Sequence, residues 1–283
     1  MEEWITPPLR VLFPFTSRRD EINVAFIAFQ IVEEMGGEVV GFHVLGDRKV
    51  DQRFIETISS FAKELKIRFH VAYRERKRSV VEELLSELKK GYDLCVCSSG
   101  SGIRVLGDVA QKLIKKSSIK MLVLHTPKVF GVLPRILNRI LVVHTNTGED
   151  INAYSVAMVL SKSWLSIKGE VVAVYPVRVH SSIPIDLAYV VEETKEEEKN
   201  FLRHVGVKIK DIGSLVTPVT LYARNGAEGL AAYADETKAD IILVGVSRKR
   251  YPSRFTHMIP LSYAYFLNTL LRRSSCPVLL AFS

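Results

Sequence analysis

Hydroxyl, glycine and arginine residues gather just past four apolar runs, where the chain could hold a ligand. Thr16 and Ser17 follow the run 11–15. Ser98, Ser99, Gly100, Ser101 and Gly102, then Gly107 and Asp108, follow the run 94–97. Thr145 follows 140–144, Gly245 ends 241–245, and Arg248 lies just beyond. Ser/Gly turns suit an anion, because glycine admits close backbone approach and a helix starting nearby favours negative charge. Such turns are also common in ordinary loops. Arg248, Lys249, Arg250 and Arg254 place four cations within seven residues. They suit a phosphate-bearing ligand or an acidic partner, or form a solvated insertion, or the bulky insert from Lys249 to Tyr263 fills the pocket itself.

Other chemistry is not apparent. Cys95 and Cys97 would share one face of a strand, but Cys276 is remote and the spacing is unlike a zinc motif. They read as small buried apolar residues, so no metal is assigned. His125 and His144 each close an apolar run, and the seven histidines are otherwise scattered. No Ser/His/Asp set, Walker-type loop or G-x-G-x-x-G after a strand stands out, so no catalytic residue is named. The basic run 74–78 has only Tyr73 as an aromatic neighbour and reads as a solvated loop. A nucleic-acid partner is therefore not expected. The acidic run 192–198 reads as a solvent face.

These positions recur because the chain is duplicated. RVLFPFT from Arg10 returns as RILVVHT from Arg139. GEVVGFHV from Gly37 returns as GEVVAVYPV from Gly169. YDLCVCSSG from Tyr92 returns as ADIILVGVS from Ala239. The order is kept over a unit of about 140 residues, which marks a domain duplication and not a solenoid. The second copy carries extra residues in its middle and again after Asp240. Insertions are tolerated in surface loops.

In each copy short apolar runs alternate with segments whose apolar residues recur at three or four. Ile22, Phe26, Phe29 and Val32 are one such face, closed by Gly36 and Gly37; Phe54, Ile58, Phe61 and Leu65 are another. The order β-α-β-α-β-α-β-α-β predicts an α/β fold: two tandem open parallel five-stranded sheets with helices on both faces. Residues 1–126 form the first domain, 127–138 a short linker with Pro127 and Pro134, and 139–283 the second. In such sheets ligands bind beyond the strand carboxyl ends where strand order reverses. That places the turns after the first and fourth strands of each copy at the crevice.

The 283 residues, 47% of them hydrophobic, suit two domains with buried cores. The apolar runs are strand-length, the start lacks a signal-like pattern, and three cysteines make no disulfide framework. A cytoplasmic protein without a membrane segment is expected. The net charge of +8 is compatible with an anionic small molecule.

The strand sequences DLCVCSSG and DIILVGVS, the stretch GDVAQKLIKKSSIKMLVL and the closing LLRRSSCPVLLAF resemble the universal stress protein family over both copies. The resemblance implies a non-enzymatic stress-response or regulatory protein that senses a ligand or binds a partner. The alternative is a nucleotide-dependent enzyme of the wider adenine-nucleotide-binding α/β group. In the family, nucleotide binding uses an aspartate after the first strand and a loop G-x2-G-x9-G-[ST]. Here Thr16 and Thr145 stand at the aspartate position. Ser98, Ser101 and Gly107-Asp108 stand on the shortened first loop; Gly245, Arg248 and Ala264-Tyr265 stand on the second. The ATP-binding motifs are therefore degenerate. ATP or another adenine nucleotide remains a candidate for the first domain only. Asp108 reads either as a simple helix N-cap or as part of a pocket remodelled for a less anionic ligand. Family homodimers join through the last strand, so residues 121–124 and 278–281 should meet as an intrachain pseudo-dimer. A further homodimer and a protein partner are left open.

Overall fold

The computed structural model describes residues 6–46, 50–100, 106–128, 130–145, 148–162, 169–190, 192–209, 216–249 and 261–283. The first half runs β1 (Leu9–Pro14), α1 (Glu21–Met35), β2 (Gly37–Leu45), α2 (Gln52–Glu64), β3 (Arg68–Glu75), α3 (Val80–Leu88), β4 (Leu94–Ser98), α4 (Asp108–Lys116) and β5 (Lys120–His125). The second runs β6 (Arg139–Val143), α5 (Asp150–Ser161), β7 (Glu170–Arg178), a 3-10 turn (Ile185–Val190), α6 (Glu192–Ile209), β8 (Val216–Ala223), α7 (Gly226–Glu236), β9 (Ile241–Val246), α8 (Leu261–Arg273) and β10 (Val278–Phe282). Local chemistry sets several helix starts. Ser79 and Glu82 form a reciprocal capping box on α3, and Asp51 and Asn225 accept backbone N–H bonds at the starts of α2 and α7.

The ten strands form one continuous sheet in the order β3-β2-β1-β4-β5-β10-β9-β6-β7-β8. All pairs within each half are parallel, and β5 and β10 meet antiparallel, with Leu124 opposite Leu279 and Met121 opposite Phe282. The two five-stranded units expected from the sequence thus fuse edge to edge. The strand order of one half mirrors that of the other, as a pseudo-two-fold arrangement requires. Alternate residues of each central strand point to opposite faces. Val11, Val96, Leu124 and Leu279 enter one buried layer with α1 and α5; Leu12, Cys95, Val123 and Leu280 enter the other with α3, α4, α7 and α8. Fusion also leaves the seam strands no solvent-facing edge, and residues 121–124 are fully buried.

The repeated sequence positions make repeated bonds. The Asp93 carboxylate accepts the Arg10 backbone N–H at 2.8 Å, and Asp240 accepts those of Asn138 and Arg139 at 2.6 and 3.0 Å. Arg10 pairs with Glu38 at 2.9 Å and donates to the Lys90 carbonyl at 2.8 Å. Arg139 pairs with Glu170 at 2.8 Å and donates to the Thr237 carbonyl at 2.7 Å. Each arginine therefore ties the first strand of its half to the second strand and to the chain entering the fourth.

The segment joining the halves lies over α1. The buried Asn23 side chain donates to the Gly131 carbonyl at 3.1 Å and accepts the Leu133 N–H at 2.8 Å. Gln30 donates to the Arg135 carbonyl at 2.8 Å, and Arg135 pairs with Glu64 on α2. Leu133 and Leu137 are buried in the core. Among the described residues, no helix is long and apolar enough to cross a membrane.

Candidate ligand-binding crevice

Strand order reverses between β1 and β4, which leaves room beyond their carboxyl ends. In the first half this is a crevice of about 250 Å³. Its walls are apolar: Phe42 and Val44 from β2, Val80 and Leu84 from α3, and Val109 and Leu113 from α4. Thr16, Ser98, Ser99, Gly100, Gly107 and Asp108 all line it, together with Arg18 and Glu21.

Most of these polar groups are engaged with one another. The Thr16 N–H donates to Glu21 Oε2 at 2.8 Å and its hydroxyl to Glu21 Oε1 at 3.0 Å. The Arg18 N–H donates to the same carboxylate at 2.9 Å. Burial drives the Glu21 pKa up, against the bonds from Arg18 and Thr16 that favour its charged form. The Arg18 guanidinium spans the crevice to Ser98 Oγ at 2.5 Å and faces Asp20 at 3.2 Å and Glu21 at 3.4 Å. Ser98 Oγ also accepts the Gly100 N–H at 3.0 Å. Ser99 turns the other way, its hydroxyl 3.0 Å from His125 Nδ1.

Gly100 and Gly107 close the turn. Gly100 has φ +94°, and a Cβ there would lie 3.2 Å from the Gly107 Cα. Gly107 donates its N–H to the Ser99 carbonyl at 2.5 Å. Gly107, not Asp108, is the N-cap of α4, and it has no side chain to satisfy the first turn. Asp108 is the first helical residue and puts its carboxylate at the positive end of the helix. The expectation that Asp108 caps the helix is thereby corrected. Ser17 is not among the crevice residues: at φ +64° its hydroxyl accepts the Asp51 N–H at 3.3 Å, at the start of α2. Ser101 and Gly102 lie outside the described residues.

The second half repeats the β1-type turn with different neighbours. Thr145 donates its N–H and hydroxyl to Asp150 at 3.0 and 2.6 Å. His144 is buried 3.4 Å from the same carboxylate, and Tyr154 stands 3.3 Å from the imidazole. Tyr175 and Phe201 pack on the His144 ring. Gly245 lies inside β9, where a Cβ would fall 2.0 Å from the Glu149 carbonyl oxygen. The Tyr263 hydroxyl on α8 donates to the Gly245 carbonyl at 3.0 Å. Gly245 is therefore a packing position under the start of α5.

Arg248 is also relocated. Its guanidinium reaches into the first half, donating to the carbonyls of Ile114 at 3.3 Å, Ser117 and Ile119. Burial lowers its pKa, but arginine stays charged. It is committed to carbonyl oxygens rather than to an anion in its own half. Lys249 is exposed, while Arg250 and Arg254 lie outside the described residues.

Sequence reasoning overlooked Glu21 and Asp150, whereas it placed Arg18 in the turn after the first strand and Tyr263 in the insert of the second loop. The first two had a signal: an acid five residues after the threonine in both copies. The bonds from Arg18 to Ser98 and from Tyr263 to Gly245 had none, because each reaches a strand outside its own segment. Among the described residues, no group of three or more His, Cys, Asp or Glu could hold a metal ion.

A family model described as the universal stress protein family matches residues 137–281, just over half of the chain. The chain belongs to the universal stress protein family. The tandem fold has counterparts along its whole length. A universal stress protein from Archaeoglobus fulgidus is 15% identical, with 99% of this chain and 98% of that one covered and a TM-score of 0.60. A protein of unknown function from Pseudomonas aeruginosa is 14% identical over 97% and 92% of the two chains, with a TM-score of 0.56. A putative universal stress protein from the same species is 15% identical over 98% and 94%, with a TM-score of 0.54. No functionally curated protein matches the chain.

Proposed function

We propose that this universal stress protein is a non-enzymatic stress-response or regulatory protein that senses one small ligand in the crevice of its first half. The ligand is an adenine nucleoside or a nucleotide of low charge. One observation carries this reading: the two equivalent corners differ. The first half has a crevice with apolar walls and a polar rim, whereas Tyr263, Gly245 and Glu149 meet at the corresponding corner of the second.

The charges around the crevice select the ligand class. Arg18 is already faced by Asp20, Glu21 and Ser98. Asp108 occupies the helix end that would otherwise attract phosphate. Apolar walls with few polar groups suit a planar, weakly charged molecule. Triphosphate binds more weakly there than the nucleoside, because two unit charges at close range repel even where water screens them. The three free, buried cysteines suit a reducing, cytoplasmic setting.

Calorimetric titration with adenosine, AMP and Mg-ATP tests the reading. Adenosine should bind at least as tightly as Mg-ATP, and Val44→Trp, which fills the crevice from β2, should abolish binding. Sub-micromolar Mg-ATP binding that survives Val44→Trp would put the site elsewhere. Turnover of the nucleotide would favour an enzyme.

A further inference from the structure

Helix α4 connects the crevice to the second half. Its N-terminal end lines the crevice through Asp108, Val109, Ala110 and Leu113. Its other end, about 13 Å away at 1.5 Å per residue, has no glycine in a left-handed cap. Ser117 at the C-cap is extended, at φ −85° and ψ 141°, and its N–H returns to the Leu113 carbonyl. A helix that ends this way leaves other carbonyls in need of donors.

Arg248 supplies them. The guanidinium binds the carbonyl of Ile114 in the last turn of α4, and those of Ser117 and Ile119 where the chain turns into β5. A cation at the negative end of a helix is favoured by the dipole as well as by the hydrogen bonds. Counting from the paired Asp93 and Asp240, the position that holds Arg248 in the second copy holds Ser101 in the first. A serine lacks the length and the donors to make the reciprocal bonds. The half with the crevice is thus gripped from the other half.

We propose that Arg248 is the positioning residue of the first-half crevice: from the second half it fixes α4 and thereby the lip against which the ligand rests. The inference builds on the crevice assignment above and adds the second half's role in ligand affinity. Loss of the arginine releases the α4 C-terminus, and the Asp108–Leu113 face then drifts from its place opposite Phe42 and Val44.

The test compares the full-length parent with Arg248→Met, Arg248→Lys and Arg139→Met. The last removes a comparable set of bonds inside the second half, away from α4. Backbone hydrogen exchange over residues 108–116 and adenosine titration are the readouts. Arg248→Met should speed α4 exchange and weaken adenosine binding, each by about tenfold, the scale of a lost charge-assisted hydrogen bond. Arg248→Lys should recover part of both, and Arg139→Met should change neither. If α4 exchanges no faster in Arg248→Met than in Arg139→Met, the clamp is refuted. If α4 loosens while adenosine affinity holds, the link to the crevice is refuted but the crevice stands. A parent that binds no adenosine overturns the crevice assignment, and the inference falls with it.

Discussion

Replacing Gly245 with alanine adds one methyl group and should be among the most damaging small changes to this protein. A Cβ at this position would lie 2.0 Å from the Glu149 carbonyl oxygen, 2.5 Å from its carbon and 3.0 Å from the Asp150 nitrogen. All three are backbone atoms, so no flexible side chain can move aside. Strand β9 cannot yield, because Gly245 pairs with Ala281 on β10 and the adjacent Val244 pairs with Val143 on β6. The start of α5 must lift, which strains the bonds from Thr145 to Asp150 and moves a helix that packs on α1 and the sheet. Overpacking a core costs about 1–3 kcal/mol when side chains adjust, and more when backbone must move. A loss of about 3 kcal/mol is expected. At about 2–4 °C per kcal/mol for a chain of this size, Tm should fall by roughly 6–12 °C. Urea and thermal unfolding of the parent and Gly245→Ala should be compared with Gly131→Ala, where an added Cβ meets nothing within 4 Å. A Gly245→Ala midpoint equal to that of Gly131→Ala would refute the close approach of α5 to β9. The contrast between the two corners at Gly245 would then lose its support.

Glu21→Gln tests the buried carboxylate by its pH dependence. The folded pKa is raised above the ordinary 4.5, so Glu21 contributes most below that value and its contribution is lost as pH rises through the raised one. The parent should therefore lose urea stability relative to Glu21→Gln between pH 4.5 and neutrality, and a constant difference would contradict the burial. Asn23→Ala removes both side-chain bonds that hold the connecting segment and strands the Leu133 N–H. A cost of about 2–3 kcal/mol and faster proteolysis between 127 and 137 should follow; an unchanged cleavage rate counts against the attachment. Residues 1–126 expressed alone would expose the apolar β5 edge that β10 covers. Light scattering should find a dimer or larger species, and a stable monomer would argue against the seam as a hydrophobic contact.

The fold was legible in the sequence because folding a doubly covered sheet demands repetition. Apolar strands of near-equal length, helix faces at three and four, and the paired Arg10/Arg139, Glu38/Glu170 and Asp93/Asp240 are each tied to local or repeated geometry. The seam followed from the family resemblance, whose homodimers join through the last strand, and β5 and β10 do pair there. The site was legible only where it coincides with strand ends: Thr16, Ser98, Ser99, Gly100, Gly107 and Asp108 do line one crevice. Ser17 was misplaced because a positive φ turns it toward α2, a conformation that sequence does not specify for serine. Arg248 was misplaced because its partners are carbonyls of the other half, and backbone acceptors leave no mark in residue identity.

The two copies show which features a duplicated fold must retain and which it can lose. Both keep a threonine bonded to an acid at the head of the first helix, because that acid gathers N–H groups at the entry to the helix. Both keep the Arg–Asp–Glu tie at the other end of the sheet. The corners beyond β4 and β9 diverged instead. In the first, Ser98 and Gly100 leave space beside α4; in the second, Gly245 lets Glu149 close in and Tyr263 bonds over it. Fusion through β5 and β10 lets the two corners of one chain differ. The chain just past β9 sends Arg248 across to the half with the crevice. Such asymmetry is open to a fused chain and closed to a homodimer of identical chains, which could not reshape one corner without reshaping both.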